Sequence, residues 1–168
     1  MPGLPKKTSS TVLPEPTIVD VLMDDHLNAV LLCRKFEGAT DPLLKETLAD
    51  AIEISVRLHS QGEMDVLYPF VEKTLGAKDM VRTCLEEHST VEAQALEALQ
   101  QRKEGGDKLG AAIKSITSEF TEHLLKEEND IMMKVLESGA TESDLLDLAQ
   151  QFTAAKEKAP LDPQPVAA

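Results

Sequence analysis

Hydrophobic residues recur along most of the chain at every third or fourth position, which is the period of an amphipathic α-helix. Glycine and proline interrupt the pattern at intervals, and no segment alternates in the way that a half-buried β-strand does. The pattern predicts five helices, which cover about residues 18–37, 42–76, 79–105, 107–138 and 142–157.

Local signals support these boundaries. Thr17 with Asp20 forms a capping motif at the start of the first helix, and Asp41 before Pro42 offers a cap to the second. Four long helices joined by short connections favour antiparallel neighbours. The sequence therefore predicts an all-α fold, an up-down-up-down four-helix bundle with an additional C-terminal helix. That last helix is amphipathic through Leu145, Leu146, Leu148 and Phe152.

The length of 168 residues suits a single domain with one core. Four prolines among the first sixteen residues predict a mobile N-terminal lead-in over residues 1–16. The helical bundle is expected over residues 17–158, followed by a proline-rich tail over residues 159–168.

Composition excludes several classes of partner. A formal net charge of -13 repels phosphate backbones and anionic membranes, so neither nucleic acid nor a membrane is expected as a partner. The chain shows neither a signal-peptide pattern nor a long apolar run, which favours a cytoplasmic protein, and no obligate protein partner is evident. Cys33 and Cys84 lack the spacing of a redox or metal motif and are predicted to be reduced thiols that do not pair.

The four histidines fall one to a helix, each on the apolar stripe that should face the core. The predicted stripes comprise Leu22, His26, Ala29, Val30 and Cys33 in the first helix; Ile52, Val56, His59, Glu63, Val66 and Phe70 in the second; Leu85, His88, Glu92, Ala95 and Leu99 in the third; and Ile113, Ile116, Phe120, His123, Glu127 and Ile131 in the fourth.

Seven polar side chains on these stripes would be costly to bury without a compensating partner. They are His26, His59, Glu63, His88, Glu92, His123 and Glu127. Spacing of four residues places a carboxylate one turn after a histidine, where both can bind one ion or two adjacent ions. Imidazole with carboxylate and no thiolate suits iron, manganese or zinc. Seven ligands are too many for one tetrahedral zinc, so a pair of metals bridged by Glu63 and Glu127 is predicted.

The segments "DDHLNAV", "LHSQGEMDVLYP", "LEEHSTVEAQ" and "EHLLKEENDIM" resemble the four successive helices of a hemerythrin-like, HHE cation-binding domain. The order His, His-x3-Glu, His, His-x3-Glu carries the resemblance, which extends over about residues 17–137. The last helix and tail are similar to those of the short, single-domain actinobacterial members.

This resemblance implies a non-haem site of two iron ions, bridged by carboxylates and by an oxo or hydroxo group. It also implies small-molecule partners, namely hydrogen peroxide, dioxygen or nitric oxide, or a role in iron handling. The ligand positions that match the family motif are His26, His59, Glu63, His88, His123 and Glu127.

Glu92 departs from the pattern of the oxygen carriers, which have two histidines a turn apart on the third helix. If Glu92 is a ligand, its negative charge would favour ferric iron and redox turnover over reversible oxygen carriage. Alternatively, Glu92 accepts a hydrogen bond from a ligating imidazole. Both interpretations remain open at this point.

Tyr68, the only tyrosine, lies five residues after Glu63 and just before Pro69. In an ideal helix it would point away from the site and pack elsewhere. A π-bulge caused by the proline would instead turn it toward the metals, as a ligand or as a neighbour of the ligands. Glu128 and Asp25 are expected to be surface charges.

Two functions from different classes follow. The first is an oxidoreductase that consumes hydrogen peroxide in a catalase-like reaction or acts on related reactive oxygen or nitrogen species. The second is a module that binds or senses dioxygen, nitric oxide or iron without turnover. A carboxylate-rich site beside a phenol favours the first, whereas a purely structural protein does not explain four histidines on core stripes.

Overall fold

The structure is a computed structural model that describes residues 14–101 and 106–160. All regular elements in these two ranges are helical, which confirms the predicted all-α class. The predicted lead-in up to residue 13 and the tail from residue 161 lie outside the described residues. The α-helices are α1 (Ile18–Gly38), α2 (Pro42–Gly62), α3 (Tyr68–Leu75), α4 (Lys78–Gln101), α5 (Gly106–Lys126), α6 (Met132–Glu137) and α7 (Glu142–Lys158).

Two π-helical turns interrupt the long second and fourth helices of the bundle. The first, π1 (Glu63–Leu67), joins α2 to α3, and the second, π2 (Glu127–Ile131), joins α5 to α6. A π-helical turn has a longer hydrogen-bonding step than an α-helix and so shifts the residues that follow it around the helix axis.

Helix ends follow the local signals. The Thr17 hydroxyl accepts a hydrogen bond from the Asp20 N–H, and the Asp20 carboxylate accepts one from the Thr17 N–H. Thr141 and Asp144 form the same reciprocal pair at α7. Gly76 ends α3 with φ of 64°, in the left-handed region that glycine adopts without strain.

Two apolar clusters show how the helices run. One cluster collects the C-terminal halves of α1 and α4 with α2 up to Val56 and α5 up to Leu124. The other collects the N-terminal halves of α1 and α4 with α3, π2 and α6. The long helices therefore alternate in direction, as predicted. Because α1 and α4 each pack against both α2 and α5, the four form a closed bundle.

The additional helix α7 packs against α1, α2 and π1. Phe152 on α7 is fully buried, and its ring lies directly over Gly62. A Cβ at position 62 would lie 2.6 Å from Cε2 of that ring, so the close approach of α7 requires glycine there. No helix in the described ranges has both the length and the apolar character to cross a membrane.

The register of two stripes differs from the sequence expectation by one residue. On α4 the buried positions are Val81, Cys84, His88, Val91, Ala95 and Ala98. Leu85 is therefore 39% exposed and Glu92 is half-buried, while the side chain of Leu99 is outside the described residues. From the last residue of π1 onward, Leu67, Tyr68 and Val71 are buried in place of Val66 and Phe70, because the π-helical turn shifts the inward face.

Cys33 and Cys84 are both buried and both unpaired, which confirms the prediction of free thiols. Cys33 belongs to the first apolar cluster and Cys84 to the second, on opposite sides of the polar residues described next. Burial raises the pKa of both thiols, that of Cys84 to about 12, so they stay protonated near neutral pH.

Candidate metal centre

Six polar side chains form a layer between the two apolar clusters, here named the His/Glu layer. Each is at most 3% exposed. Each of the four long bundle helices contributes one histidine, and the two glutamates are the first residues of π1 and π2. The members of the layer are His26, His59, Glu63, His88, His123 and Glu127.

The layer divides into two groups whose ligand atoms lie within 4.8 Å of one another. Subsite 1 comprises His26, His59, Glu63 and Glu127, and subsite 2 comprises Glu63, His88, His123 and Glu127. Both glutamates thus belong to both subsites, while each histidine belongs to one. This arrangement fits two adjacent ions bridged by two carboxylates.

The histidines face the layer through Nε2. In subsite 1, His59 Nε2 lies 3.2 Å from Glu63 Oε2 and 3.7 Å from Glu127 Oε2. In subsite 2, His88 Nε2 lies 3.1 Å from Glu63 Oε2, and His123 Nε2 lies 3.4 Å from Glu127 Oε2. Two ligands each about 2.1 Å from a shared ion are separated by about 3–4 Å, so these spacings suit metal coordination.

Several of the inward atoms have no hydrogen-bond partner although they are buried. They are His26 Nε2, His59 Nε2, Glu63 Oε1 and Glu127 Oε2. His88 Nε2 and His123 Nε2 lie only 2.6 Å apart, so two ring nitrogens are directed at the same point. Unpaired buried polar atoms are costly, and a bound cation would accept their lone pairs. The residues present therefore fit a pair of metal ions.

Three further carboxylates face the outer nitrogens of the histidines. Glu128 lies 2.9 Å from His26 Nδ1, and Glu87 lies 2.9 Å from His123 Nδ1. Asp25 lies 3.7 Å from His59 Nδ1. Such carboxylates orient a ligating imidazole and strengthen its donation to a metal.

The expectation that Glu128 and Asp25 are merely surface charges is therefore wrong, and the sequence pattern does not indicate Glu87 as a partner of a layer histidine. Each of the three directly adjoins a layer residue in the sequence, yet it faces a histidine of a different helix. No spacing within one helix could reveal such a pair.

Tyr68 reaches the centre. Its hydroxyl oxygen lies 2.8 Å from Glu127 Oε1, 3.0 Å from His88 Nε2 and 3.2 Å from Glu63 Oε2. The turn π1 makes this possible, since it brings residues five apart onto one face. Pro69 follows immediately, as the sequence suggested. The corresponding turn π2 forms without a proline, and no sequence signal indicated it.

Glu92 stands apart from the other six candidate ligands. It is half-buried and belongs to neither subsite, because Val91 occupies the inward position one turn after His88. His88 Nδ1 has no hydrogen-bond partner, so Glu92 does not accept a bond from it in this structure.

A family model described as the hemerythrin HHE cation-binding domain matches residues 17–135. This chain belongs to that family. The match begins at the N-terminal cap of α1 and ends in α6, so it includes the whole His/Glu layer and leaves α7 outside. No curated protein and no solved structure gives a significant match. As a hemerythrin domain with a buried His/Glu cluster, the chain is a metal-binding module whose typical metal is iron.

The electrostatics of the hemerythrin layer favour bound protons when no metal is present. Burial lowers the pKa of His59, but the charge of Glu63 and the contacts with Asp25 and Glu127 outweigh it and raise this pKa to about 10. Burial and the charge of Glu127 raise the pKa of Glu63. Burial also raises the pKa of Tyr68, as do the charges of both glutamates, so the phenol keeps its proton.

Two of the other histidines, His26 and His88, are held neutral, as metal ligation requires. Burial lowers the pKa of His88 to about 4. Burial and the neighbouring charge of His59 lower the pKa of His26. Cations that bind the layer would therefore meet neutral imidazoles at these two positions and would displace protons from His59 and Glu63.

Proposed function

We propose that this protein is a non-haem di-iron oxidoreductase that turns over hydrogen peroxide in a catalase-like reaction. The observation that carries the proposal is the sharing of Glu63 and Glu127 between the two subsites, with the Tyr68 hydroxyl against both carboxylates. Two iron ions would supply the exchange of an electron pair, taken from one peroxide molecule and given to the next.

The proposed ligands divide by subsite. His26 and His59 would hold one iron, His88 and His123 the other, and the two glutamates would bridge them. Carboxylate bridges and carboxylate-supported imidazoles bring negative charge to the centre, which favours ferric iron. A ferric resting centre suits peroxide turnover better than reversible oxygen carriage.

Tyr68 supplies a proton at the point where both subsites meet. Its hydroxyl is within hydrogen-bond distance of three ligand atoms, and its pKa is raised, so it remains a donor at neutral pH. A group in this position can give a proton to the hydroxide that leaves when the O–O bond of one peroxide is cleaved, which forms water. It can then recover a proton from the next peroxide as that molecule is oxidised to dioxygen.

The burial of the His/Glu layer limits the size of the substrate that can reach it. Because the layer residues and Tyr68 are at most 3% exposed, a bulky organic molecule could not reach the ligand atoms without opening the bundle. Hydrogen peroxide is small enough, and it is both oxidant and reductant in the reaction. No organic cofactor is needed.

The test is oxygen evolution from hydrogen peroxide by iron-loaded protein, measured with an oxygen electrode. We expect one dioxygen for every two peroxide molecules consumed, and no activity in the metal-free protein. Glu92→His is a matched comparison, because it places a histidine where oxygen carriers have one. We expect this variant to turn over peroxide at the rate of the wild type, since Glu92 is in neither subsite.

A stable oxygenated form, produced when the reduced protein meets air and reversed when oxygen is removed, would contradict turnover. That result would favour the alternative of a dioxygen, nitric oxide or iron binding module.

A further inference from the structure

Two of the outer carboxylates are themselves held by lysine. On one side of the layer, Lys126 donates to Glu87 at 2.7 Å, and Glu87 faces His123 of subsite 2. On the other side, Lys156 donates to Asp25, and Asp25 faces His59 of subsite 1. Each subsite therefore has a lysine, carboxylate and histidine in series. The first lysine comes from the bundle, and the second comes from α7.

The helix α7 is fixed close to His59. Phe152 packs over Gly62 and lies 6.4 Å from the His59 ring, centroid to centroid. Lys156 follows one turn later, with Nζ 5.4 Å from the centre of the Phe152 ring. The side chain of Lys156 is thus guided along the aromatic ring toward Asp25, and it is only 23% exposed.

Asp25 needs such a partner to stay at His59. Its carboxylate is 19% exposed and lies 3.7 Å from His59 Nδ1, which is too long for a hydrogen bond. The oxygen that approaches His59 is the same oxygen that Lys156 contacts. Without the ammonium group, an aspartate at this depth could turn toward water, where it would be better solvated.

We propose that Lys156 is a positioning residue for subsite 1, which makes α7 a part of the metal centre. Lys156 holds the Asp25 carboxylate against the outer nitrogen of His59 and so strengthens the binding of the metal in that subsite. The helix lies outside the residues that match the hemerythrin family, so this role is an addition to the domain. The proposal rests on the proposed pair of metals but not on peroxide turnover.

The experiment follows the release of iron from the fully loaded protein to a strong ferrous chelator under reducing conditions. Removal of a group that supports a ligating histidine typically costs about 10–100-fold in metal affinity. We therefore expect Lys156→Met to release one of the two irons about tenfold faster. Asp25→Asn should speed the release of that iron by a similar factor. The double variant should release it no faster than either single variant, because both substitutions disrupt the same contact between Lys156 and Asp25. Lys156→Arg should restore the slow rate.

Matched controls come from the same two helices. Lys158→Met removes an exposed lysine of α7, and Asp24→Asn removes an exposed carboxylate of α1. Neither should change iron release.

A purely structural role for Lys156 predicts a different pattern. Loosening of α7 would lower the unfolding temperature of the metal-free variant and would speed the release of both irons together. That pattern, an unchanged rate in Lys156→Met, or a failure of Lys156→Arg to restore slow release, would overturn the proposal. A wild type that binds two metals without consuming peroxide would leave it intact, whereas a wild type that binds none would overturn it together with the proposed function.

Discussion

Gly62 and Phe152 are packed so closely that a single added methyl group would collide with the ring. The nearest ring atom is 2.6 Å from the position of the absent Cβ. This contact joins α7 to the end of α2, three residues after the metal-ligand candidate His59. The structure of the added helix and that of the centre are therefore linked through one glycine.

Gly62→Ala should destabilise the protein, because either the ring or α7 must move to admit the methyl group. Overpacking of this kind costs about 1–3 kcal/mol, and in a chain of this size each kcal/mol lowers the unfolding temperature by about 2–4 °C. Gly110→Ala is the control. A Cβ there meets nothing within 4 Å, and alanine is the better helix former, so its unfolding temperature should hold or rise. Equal effects in the two variants would show that the contact with Phe152 is unimportant.

Removal of a layer histidine should lower metal content and stability together. His59→Ala and His123→Ala each remove one proposed ligand, and metal bound to the native state stabilises it by mass action. We expect both variants to lose at least one iron per chain and to unfold at a lower temperature than the iron-loaded wild type. Glu53→Gln, which changes a buried acid outside the layer, should keep its iron. Full occupancy in both histidine variants would count against the ligand assignment.

Metal binding should release protons. In the metal-free protein the pKa of His59 is about 10, so this histidine holds a proton at pH 7.5 that a metal ion must displace. The affinity of the protein for metal ions should therefore rise as the pH increases toward 10. Calorimetric titration of metal into metal-free protein, in buffers of different ionisation enthalpy, measures the protons released. An observed heat that is the same in all buffers would refute this expectation.

Tyr68→Phe should separate metal binding from peroxide turnover. The ring stays buried in the same place, while the hydroxyl that contacts Glu63, His88 and Glu127 is lost. We expect the variant to keep both irons and to evolve oxygen about 100-fold more slowly, the usual scale for loss of a positioned proton donor. An undiminished rate in a fully loaded variant would exclude this role for the phenol.

The sequence predicted the features that repeat within single helices. His59 with Glu63, and His123 with Glu127, lie one turn apart on apolar stripes, so the bundle and six members of its polar layer follow from periodicity and spacing. The opposite placement of Cys33 and Cys84 follows from the same helix directions.

Other features depend on contacts between helices and could not be predicted in this way. On α4, the choice between Val91 and Glu92 as the inward residue is a rotation of one position, and packing against α2 and α5 decides it. The pairing of Glu87 with His123 likewise requires the relative height of two helices. The turn π2 has no proline or glycine to indicate it, whereas Pro69 did indicate π1.

The most direct test of the account is the number of iron ions bound per chain after loading with excess iron and removal of unbound metal. Four histidines and two shared glutamates form two overlapping subsites, so we predict two irons per chain. Elemental analysis against protein concentration gives the ratio. A ratio of two supports a bridged pair in the His/Glu layer, and a ratio of one or less would contradict it.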